Sequence, residues 1–380
     1  MNPQDMFCPY RDCPSHGQPR LNHIVSHSRR EQRYQCRICR RTFVARKGTP
    51  YYRLHVPEAT FTCVVTLLSH GCPPQAVVAA FGLDERTVAA WQQRAGHHCE
   101  QVQRATVQAG QVELEHVQAD ELWVKLVGRK VWLAQALAVP SRLWLGGAIS
   151  QSRDGDLIRD LVQQVRRCAR RLGILVCVDG LSSYVTAFCR AFKETVPTGK
   201  RGGQPQRLPA GFLLGQVIKR AVRCRVIDVG HRAVLGSLTQ IEERLQATGG
   251  GQVLNTAFVE RLNATFRSRL VPLIRRGRCL ARKETTLHAG MYLVGSVYNF
   301  CCFHDNLRLP TPAGSGRKWQ ERTPAMAAGL TDHCWSVGEL LHYRVRPKPL
   351  ALEKWRGKHR KGAKAPPKPP SRNPLCLSTV

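Results

Sequence analysis

Hydrophobic and polar positions follow different patterns in successive parts of the chain. Residues 1–50 are rich in Cys and Arg and show little helical pattern, whereas residues 57–107 carry apolar positions at helical spacing. Over 111–335, short apolar runs alternate with helix-like segments, and beyond about residue 342 Pro and Lys dominate. This order predicts two small modules, 1–50 and 57–107, then an α/β domain over 111–335 and a tail over 342–380.

Three strands are predicted at the start of the α/β domain. The run VQADELWVKLVGRKVWLAQALAVPSRLWLGGAI divides into short strands joined by Gly-Arg-Lys and Pro-Ser turns. Asp120 shares the parity of Leu122 and therefore points to the apolar face, where a carboxylate needs a metal or a donor. Glu121 points the other way and is expected to pair with a surface lysine. The pattern alone leaves Glu121 open as the functional member of the pair.

A second acid follows a buried strand. The run GILVCV is continuously apolar, which is typical of a parallel or central strand covered on both faces, and it leads into Asp179 and Gly180. An aspartate at the carboxyl end of such a strand lies in the crevice where open α/β sheets bind ligands. The alternative is that Asp179 caps a helix that begins near Ser182.

A third acid lies on a helix predicted within VLNTAFVERLNATFRSRL, with Asn255 as a candidate cap. Its apolar face repeats at four-residue steps: Phe258, Leu262, Phe266 and Leu270. Glu260, Asn263 and Arg267 share a different face, which suits a metal ligand near phosphate. Spacing alone favours a solvated stripe of salt bridges on that face.

Two aspartates at strand ends and a glutamate on a helix can hold two Mg²⁺ ions about 4 Å apart. One ion then activates a water or a 3′-hydroxyl, and the other stabilises the leaving oxygen. Because the ligands are hard oxygens, they select Mg²⁺ or Mn²⁺ rather than zinc. The three acids therefore predict phosphoryl-transfer chemistry.

The first module contains two short Cys pairs separated by a loop, which is the pattern of a tetrahedral structural zinc site. The predicted ligands are Cys8, Cys13, Cys36 and Cys39. The wider spacing of the first pair leaves three histidines open as substitutes: His16, His23 and His27. Fifty polar residues have too small a core to fold without such a staple.

The second module predicts a helix-turn-helix. Gly82 interrupts the helical pattern, Asp84 caps a new helix, and that helix is expected to run from Glu85 to about Arg94. Val88 and Trp91 would face inward. The side chains that could face a DNA major groove are Arg86, Thr87, Gln92 and Gln93. An ordinary helical hairpin with no ligand fits the same pattern.

Charge changes this picture more than the rest of the composition does. Lys and Arg number 58 against 26 acids, a formal net charge of +32, which indicates a polyanionic partner such as nucleic acid. Residues 342–374 contain eleven Lys or Arg, one acid and seven Pro, so this segment is expected to be disordered and to attract phosphates. Without an apolar leader or a long apolar run, we expect a cytoplasmic protein with no membrane partner.

Several stretches in order resemble insertion-element transposases with a DDE catalytic triad on an RNase H-like fold. The resemblance is strongest to the group with an N-terminal zinc ribbon and helix-turn-helix, and it covers roughly residues 8–335. The stretches that carry it are YQCRICRRTF, QADELWVKL, VCVDGLSSY, FVERLNATFR and YNFCCFHDNLR, followed by RTPAMAAGLTD. One departure is the basic, Gly- and Pro-rich stretch 197–211, which is either a DNA-contacting insertion or a linker.

The resemblance implies an RNase H-like mixed sheet flanked by helices, with Asp120, Asp179 and Glu260 as ligands of Mg²⁺ or Mn²⁺. It overturns the spacing-based interpretation of Glu260 and leaves Glu242 and Glu243 as weaker rivals. Asn263 and Arg267 are then expected to contact DNA or to orient the acid. The zinc ribbon implies structural Zn²⁺.

The function implied is a transposase that binds the terminal inverted repeats of an element, cleaves its ends and joins them to target DNA. The partner would be double-stranded DNA in a bacterial or archaeal nucleoid. Because two ends must be joined, a homodimer or higher oligomer is expected. The alternatives are a metal-dependent DNA nuclease and a non-catalytic DNA-binding regulator derived from a transposase.

Overall fold

The computed structural model describes residues 2–196, 204–222, 225–274, 281–311, 316 and 318–347. These residues form two compact units, a small one built mainly from residues up to 45 and a large one from residues 46–345. The predicted tail lies outside the described residues from 348 onwards. Of the basic stretch 197–211, only 204–211 is described, and Gln206–Arg207 within it forms a two-residue strand.

The small unit is built on a three-stranded antiparallel sheet. Its strands are β1 (Ile24–Ser28), β2 (Arg33–Cys36) and β3 (Thr42–Val44), paired in that order, and Pro3–Asp5 forms a 3₁₀ turn. The buried apolar residues that pack beside the cysteines are few: Met6, Ile24, Tyr34, Phe43 and Ala45. A core of this size cannot stabilise a fold by hydrophobic burial alone.

The large unit contains helices and strands in alternation. Its helices are α1 (Glu58–Ser69), α2 (Pro74–Phe81), α3 (Glu85–Ala105), α4 (Gly155–Cys168), α5 (Ser182–Ala191), α6 (Leu238–Ala247), α7 (Ala257–Arg269), α8 (Glu284–Cys301), α9 (Pro324–Ala327) and α10 (Val337–His342). Short 3₁₀ turns span Val271–Leu273 and Asp305–Leu307. None of the helices in the described part of the chain is long and apolar enough to cross a membrane.

The strands of this unit are β4 (His116–Leu126), β5 (Arg129–Ala138), β6 (Leu143–Ser150), β7 (Leu175–Asp179), β8 (Glu194–Thr195), β9 (Gln206–Arg207), β10 (Leu213–Val222), β11 (Arg225–Leu235), β12 (Leu309–Pro310) and β13 (Trp319–Gln320). Six of them form one mixed sheet in the order β11-β10-β7-β4-β5-β6. The strands β4, β5 and β6 run antiparallel, whereas β7 is parallel to β4 and β10 is parallel to β7. The predicted mixed α/β class is confirmed at this level.

Both strand predictions around the acids are confirmed. The run of three strands appears as β4–β6 with turns where they were expected, and β7 lies inside the sheet between β4 and β10. Residues 175–178 are buried, in keeping with their continuous apolar pattern. The two aspartates therefore belong to neighbouring central strands.

In the segment predicted to be a helix-turn-helix, α3 begins where it was predicted and ends later. Gly82 takes a left-handed conformation with φ of 61°, and the Asp84 side chain accepts a hydrogen bond from the backbone N of Arg86 at 2.8 Å. Helix α3 then continues to Ala105, so the predicted end near Arg94 is wrong. The reason lies at Gly96, where a Cβ atom would overlap the backbone of Ala289. Glycine permits close packing of α3 against α8, and that packing extends α3 beyond its local pattern.

Candidate functional site

Three carboxylates meet at the centre of the sheet. Asp120 and Glu121 lie on β4 and Asp179 ends β7, and one oxygen from each lies within 4.8 Å of the others. The strand register explains this proximity, because Gln118 of β4 pairs with Cys177 of β7, two residues before each aspartate. Two sequence-predicted acids are therefore brought together by parallel pairing, with Glu121 as their close neighbour.

Asp120 is the most strongly perturbed acid of this cluster. Burial, together with the negative charges of Glu121 and Asp179, raises its pKa to about 7. Its Oδ2 accepts a hydrogen bond from Nδ2 of Asn263 on α7 at 2.7 Å. This carboxylate is placed where a cation would favour its charged form.

Glu121 differs from its sequence-based interpretation. Its side chain is only 1% exposed, and its partners are Tyr184, whose hydroxyl donates to Oε2 at 2.7 Å, and the Arg153 guanidinium. The expected surface lysine is wrong because Tyr184 of α5 and Arg153 before α4 reach this face of β4 and bury the carboxylate. Burial and the charge of Asp179 raise the pKa of Glu121, and the two donors oppose that shift.

Asp179 uses its two oxygens differently. Oδ1 accepts from the backbone N of Leu181 at 3.0 Å and so stabilises the turn that leads into α5. Oδ2 accepts from Nη2 of Arg153 at 2.8 Å. Asp179 therefore does not cap α5, whose first turn has no side-chain cap; one of its oxygens holds the preceding turn and the other lies in the acidic cluster.

Helix α7 is fixed to the sheet by amide side chains. Oε1 of Gln118 accepts from the backbone N of Phe258 and of Val259, at 3.0 and 3.1 Å, which satisfies donors in the first turn of α7. Further along, Nε2 of Gln135 on β5 donates to Oδ1 of Asn263. These contacts orient the amide of Asn263 so that its NH₂ group faces Asp120.

Glu260 lies near the cluster but outside the group of close oxygens. Its side chain is 47% exposed, forms an ion pair with Lys219 of β10, and accepts a hydrogen bond from Oγ1 of Thr256 at 3.0 Å. Its negative charge nevertheless contributes to the raised pKa of Asp120. The rivals Glu242 and Glu243 are exposed on α6. Arg267 is half-buried on α7, one turn beyond Asn263.

The predicted DNA-facing residues of α3 divide into two groups. Arg86 is exposed and Thr87 partly exposed at the start of the helix. Gln92 lies beside Gly290 of α8, and Nε2 of Gln93 is 3.4 Å from Oγ1 of Thr286 on the same helix. Val88 and Trp91 are buried, as predicted. Gln93 is exposed and Gln92 partly buried, so all four predicted side chains stay at least partly accessible, and the second pair also lies beside α8.

The four predicted cysteines of the small unit converge. The Sγ atoms of Cys8 and Cys39 are 3.7 Å apart, as are those of Cys13 and Cys36, and all four lie within 4.8 Å of one another. A tetrahedron with zinc–sulfur bonds of about 2.3 Å has edges of about 3.8 Å. The distances thus fit four thiolates around one ion and are far too long for disulfides.

The histidines that remained open as substitutes are not needed for that tetrahedron. Nδ1 of His23 is hydrogen-bonded to the Ser15 hydroxyl at 2.8 Å. His16 is buried and pairs through its backbone with Cys8. The small unit therefore contains a site of four cysteines that is compatible with zinc. The distances between the four Sγ atoms fit the predicted set of ligands.

Sequence reasoning missed the groups that support the acids. Arg153, which bridges Glu121 and Asp179, lies in a polar turn before α4, and nothing in its local pattern separates it from other surface arginines. Tyr184 and Gln135 were also missed, because the local sequence around each residue does not indicate that Tyr184 contacts Glu121 or that Gln135 contacts Asn263. Gln118 offered one signal, since it is a polar residue on the apolar face of β4, in line with Asp120.

The protein therefore offers two chemically different candidate metal sites, carboxylates in the large unit and thiolates in the small one. Carboxylates favour Mg²⁺ or Mn²⁺, and four thiolates favour zinc. No model of a known protein family matches the sequence, and no curated protein matches it either. The chemistry of these side chains is accordingly the basis for assigning a function.

Replacing Asp120 with asparagine is expected to stabilise the metal-free protein at high pH. The folded-state pKa of Asp120, about 7, lies above the unfolded value of about 3.9. Its contribution to stability is therefore complete below pH 4 and is lost as pH rises to 7. In EDTA at pH 8, urea unfolding should give the Asp120→Asn variant a free energy of unfolding higher by about 4 kcal/mol, with little difference at pH 4. A variant less stable at pH 8 would contradict this electrostatic assignment.

Proposed function

We propose that this protein is a DDE-type DNA transposase that cleaves the ends of a mobile element and joins them to target DNA. The observation that carries the proposal is the meeting of Asp120 and Asp179 on neighbouring parallel strands, with α7 bonded to Asp120 through Asn263. The order of three antiparallel strands followed by parallel strands, with helices packed on them, supports an RNase H-like domain. The resemblance of five ordered motifs supports it independently.

Asp120, Asp179 and Glu260 would hold the metal ions in this site. Bound Mg²⁺ supplies activation of the attacking water or 3′-hydroxyl and stabilises the leaving oxygen. Asn263 holds Asp120 through Oδ2, and the backbone N of Leu181 holds Asp179 through Oδ1. Each aspartate is thereby fixed by one oxygen, which is the preorganisation that phosphoryl transfer requires.

Glu260 is the better third ligand than Glu121 for a physical reason. Both oxygens of Glu121 already accept from strong donors inside a covered pocket. Glu260 is half-exposed, and one oxygen, Oε1, takes both Lys219 and Thr256. We expect a rotation of the side chain away from Lys219 to turn Glu260 toward the cluster, because Asn263, one turn further along α7, already contacts Asp120. Glu121 is then a positioning residue that holds Arg153 and Tyr184.

Substitutions of Glu260 and Glu121 are expected to have different effects on activity and stability. We expect Glu260→Gln to lower joining activity by at least about a hundredfold without loss of stability, because an exposed carboxylate contributes little to folding. Glu121→Gln should instead destabilise the fold by about 1–2 kcal/mol, because its NH₂ group faces one of the two donors, Arg153 or Tyr184, and leaves that donor without an acceptor. The raised pKa of Glu121 shows that removal of its charge offsets part of this loss. Urea unfolding and a joining assay on both variants separate these roles. Equal loss of activity with no destabilisation in Glu121→Gln would make Glu121 the third ligand.

The remaining modules fit recognition of DNA ends. A zinc ribbon formed by the four cysteines and a helix-turn-helix whose second helix begins with Arg86 and Thr87 in its first turn would bind the terminal repeats. The net charge of +32 supplies phosphate attraction along the duplex. Joining two ends requires two catalytic domains, so the active form is proposed to be at least a dimer.

A strand-transfer assay tests this function. Purified protein, Mg²⁺ and a labelled duplex made from the DNA that flanks the coding sequence are compared with the same reaction in EDTA. Mg²⁺-dependent joined products are expected. Cleavage without joining would indicate a nuclease, and tight binding with neither reaction, even in Mn²⁺, would indicate a DNA-binding regulator.

A further inference from the structure

A cavity of about 420 Å³ lies beside α7. Its polar lining comes from three parts of the large unit, namely the turn after β5, helix α7 and the segment after α8. The charged or hydrogen-bonding lining residues include Arg142, Arg261, Arg269, His304, Asn306 and one acid, Asp305. This concentration of guanidinium groups distinguishes the cavity from an ordinary apolar pocket.

The cavity and the acidic cluster lie on opposite sides of α7. Arg261, Thr265 and Arg269 are spaced by four residues and therefore share one face of the helix. Asn263, which contacts Asp120, is two residues from Arg261 and points in roughly the opposite direction. The cavity is thus a separate site, joined to the catalytic centre by a single helix.

The cavity keeps a net positive charge, because three arginines line it and Asp305 is the one acid among its described lining residues. Arg142 donates to the backbone O of Val139 and stacks on the ring of Phe258, with 3.9 Å from Cζ to the ring centroid. Nη1 of Arg269 lies 3.1 Å from Sγ of Cys302. Within the described part of the chain, no ion pair involves Arg142, Arg261 or Arg269.

His304 adds a second, independent feature. Its Nδ1 is buried and has no hydrogen-bond partner among the described residues, although a buried polar nitrogen normally has one. Burial, and then the charge of Arg142, lowers the pKa of this imidazole, so it is a neutral ring that can still donate one N–H. Three arginines and a neutral imidazole around one cavity suit an anion with several acceptor oxygens.

We propose that this cavity binds a backbone phosphate of the DNA strand whose scissile bond lies at the acidic cluster. The inference rests on the proposed function and adds a subsite to it. A helix with its side chains is about 10–12 Å across, and one DNA strand advances about 3.4 Å per nucleotide. The phosphate would therefore lie roughly three nucleotides from the scissile one. Its contact fixes the position of α7, and with it Asn263 and Glu260, relative to the substrate.

The salt dependence of DNA binding tests this subsite. Arg261→Gln removes one exposed cavity charge, and Arg190→Gln removes an exposed arginine of α5 as the matched control. We expect the slope of log K against log salt to fall by about 0.9 in the Arg261 variant and to stay unchanged in the control. Affinity for duplex DNA at low salt should fall roughly tenfold in the Arg261 variant alone. Arg269→Gln provides a second variant with the same expected change, and urea unfolding of each variant checks that it folds.

A second arm uses inorganic pyrophosphate without DNA. The wild-type protein should show a higher melting temperature in millimolar pyrophosphate, and the Arg261 variant should not. A normal salt slope in both cavity variants overturns the subsite while leaving the proposed function intact, because DNA still binds. Pyrophosphate stabilisation with an unchanged DNA slope also overturns it, since the cavity would then take small anions only. Absence of DNA binding by the wild-type protein removes the proposed function and the subsite together.

Discussion

Asp179→Asn is expected to abolish Mg²⁺-dependent cleavage and joining, by at least about a thousandfold, while DNA binding stays nearly unchanged. The amide keeps an oxygen that can accept from the backbone N of Leu181, so the turn into α5 should persist. What it loses is the negative charge that a divalent cation requires, at the point where β7 and β4 meet. The measurement is the strand-transfer assay beside an electrophoretic binding assay on the same duplex.

The matched control is Asp160→Asn, which removes the charge of an exposed aspartate on α4. It should retain wild-type cleavage, joining and binding. If Asp179→Asn loses DNA binding as well as chemistry, Asp179 is a structural residue and the catalytic assignment is wrong. Retained joining in the Asp179 variant would exclude it as a metal ligand altogether.

Local patterns were enough to predict the aspartates because each lies in a strand with a clear period. The parity of β4 identified the side of the strand that Asp120 occupies, and the apolar run of β7 identified its central place in the sheet. The proximity of the two acids then follows from parallel pairing of these strands. In the same way, Gly82 and Asp84 mark the start of α3 through backbone conformation and capping, both of which are local properties.

The rest of the site depends on contacts between residues distant in sequence. Arg153 reaches Glu121 and Asp179 across 32 and 26 positions, and no period in its own segment reports that contact. The end of α3 was misjudged for a related reason, since Gly96 weakens a helix locally but permits close packing on α8. The role of Glu260 could not be predicted from spacing either, because spacing identifies its face of α7 but not the residues that this face contacts.

The positive charge of the chain also constrains how such a site can work. Three carboxylates close together repel one another, and without cations Asp120 holds its proton near neutral pH. Arg153 offsets part of that repulsion from one side, and Lys219 holds Glu260 on the other. In the metal-free protein, these two cations therefore offset part of the repulsion among the carboxylates.

Removal of metal from the four-cysteine site is expected to unfold the small unit while the large unit stays folded. The core of residues up to 45 is small, and burial raises the pKa of the Cys8 and Cys13 thiols, so without metal these two side chains are neutral and add little cohesion to the cluster. Zinc bound to four thiolates contributes on the order of 10–16 kcal/mol in small zinc domains. The large unit has its own extensive core and contains no part of this site.

Limited trypsin digestion with and without a strong zinc chelator measures this effect, because the small unit is rich in arginine. Chelation, or the substitution Cys36→Ser, should lead to rapid cleavage within residues 1–45 and leave the core of residues 46–345 protected. Cys63→Ser, which alters an exposed cysteine of α1, is the matched control and should digest like the wild type. A small unit that resists trypsin equally well after complete zinc removal would mean that its sheet folds without metal. The cysteines would then be buried apolar residues, and their tetrahedral spacing would be a result of packing rather than of coordination.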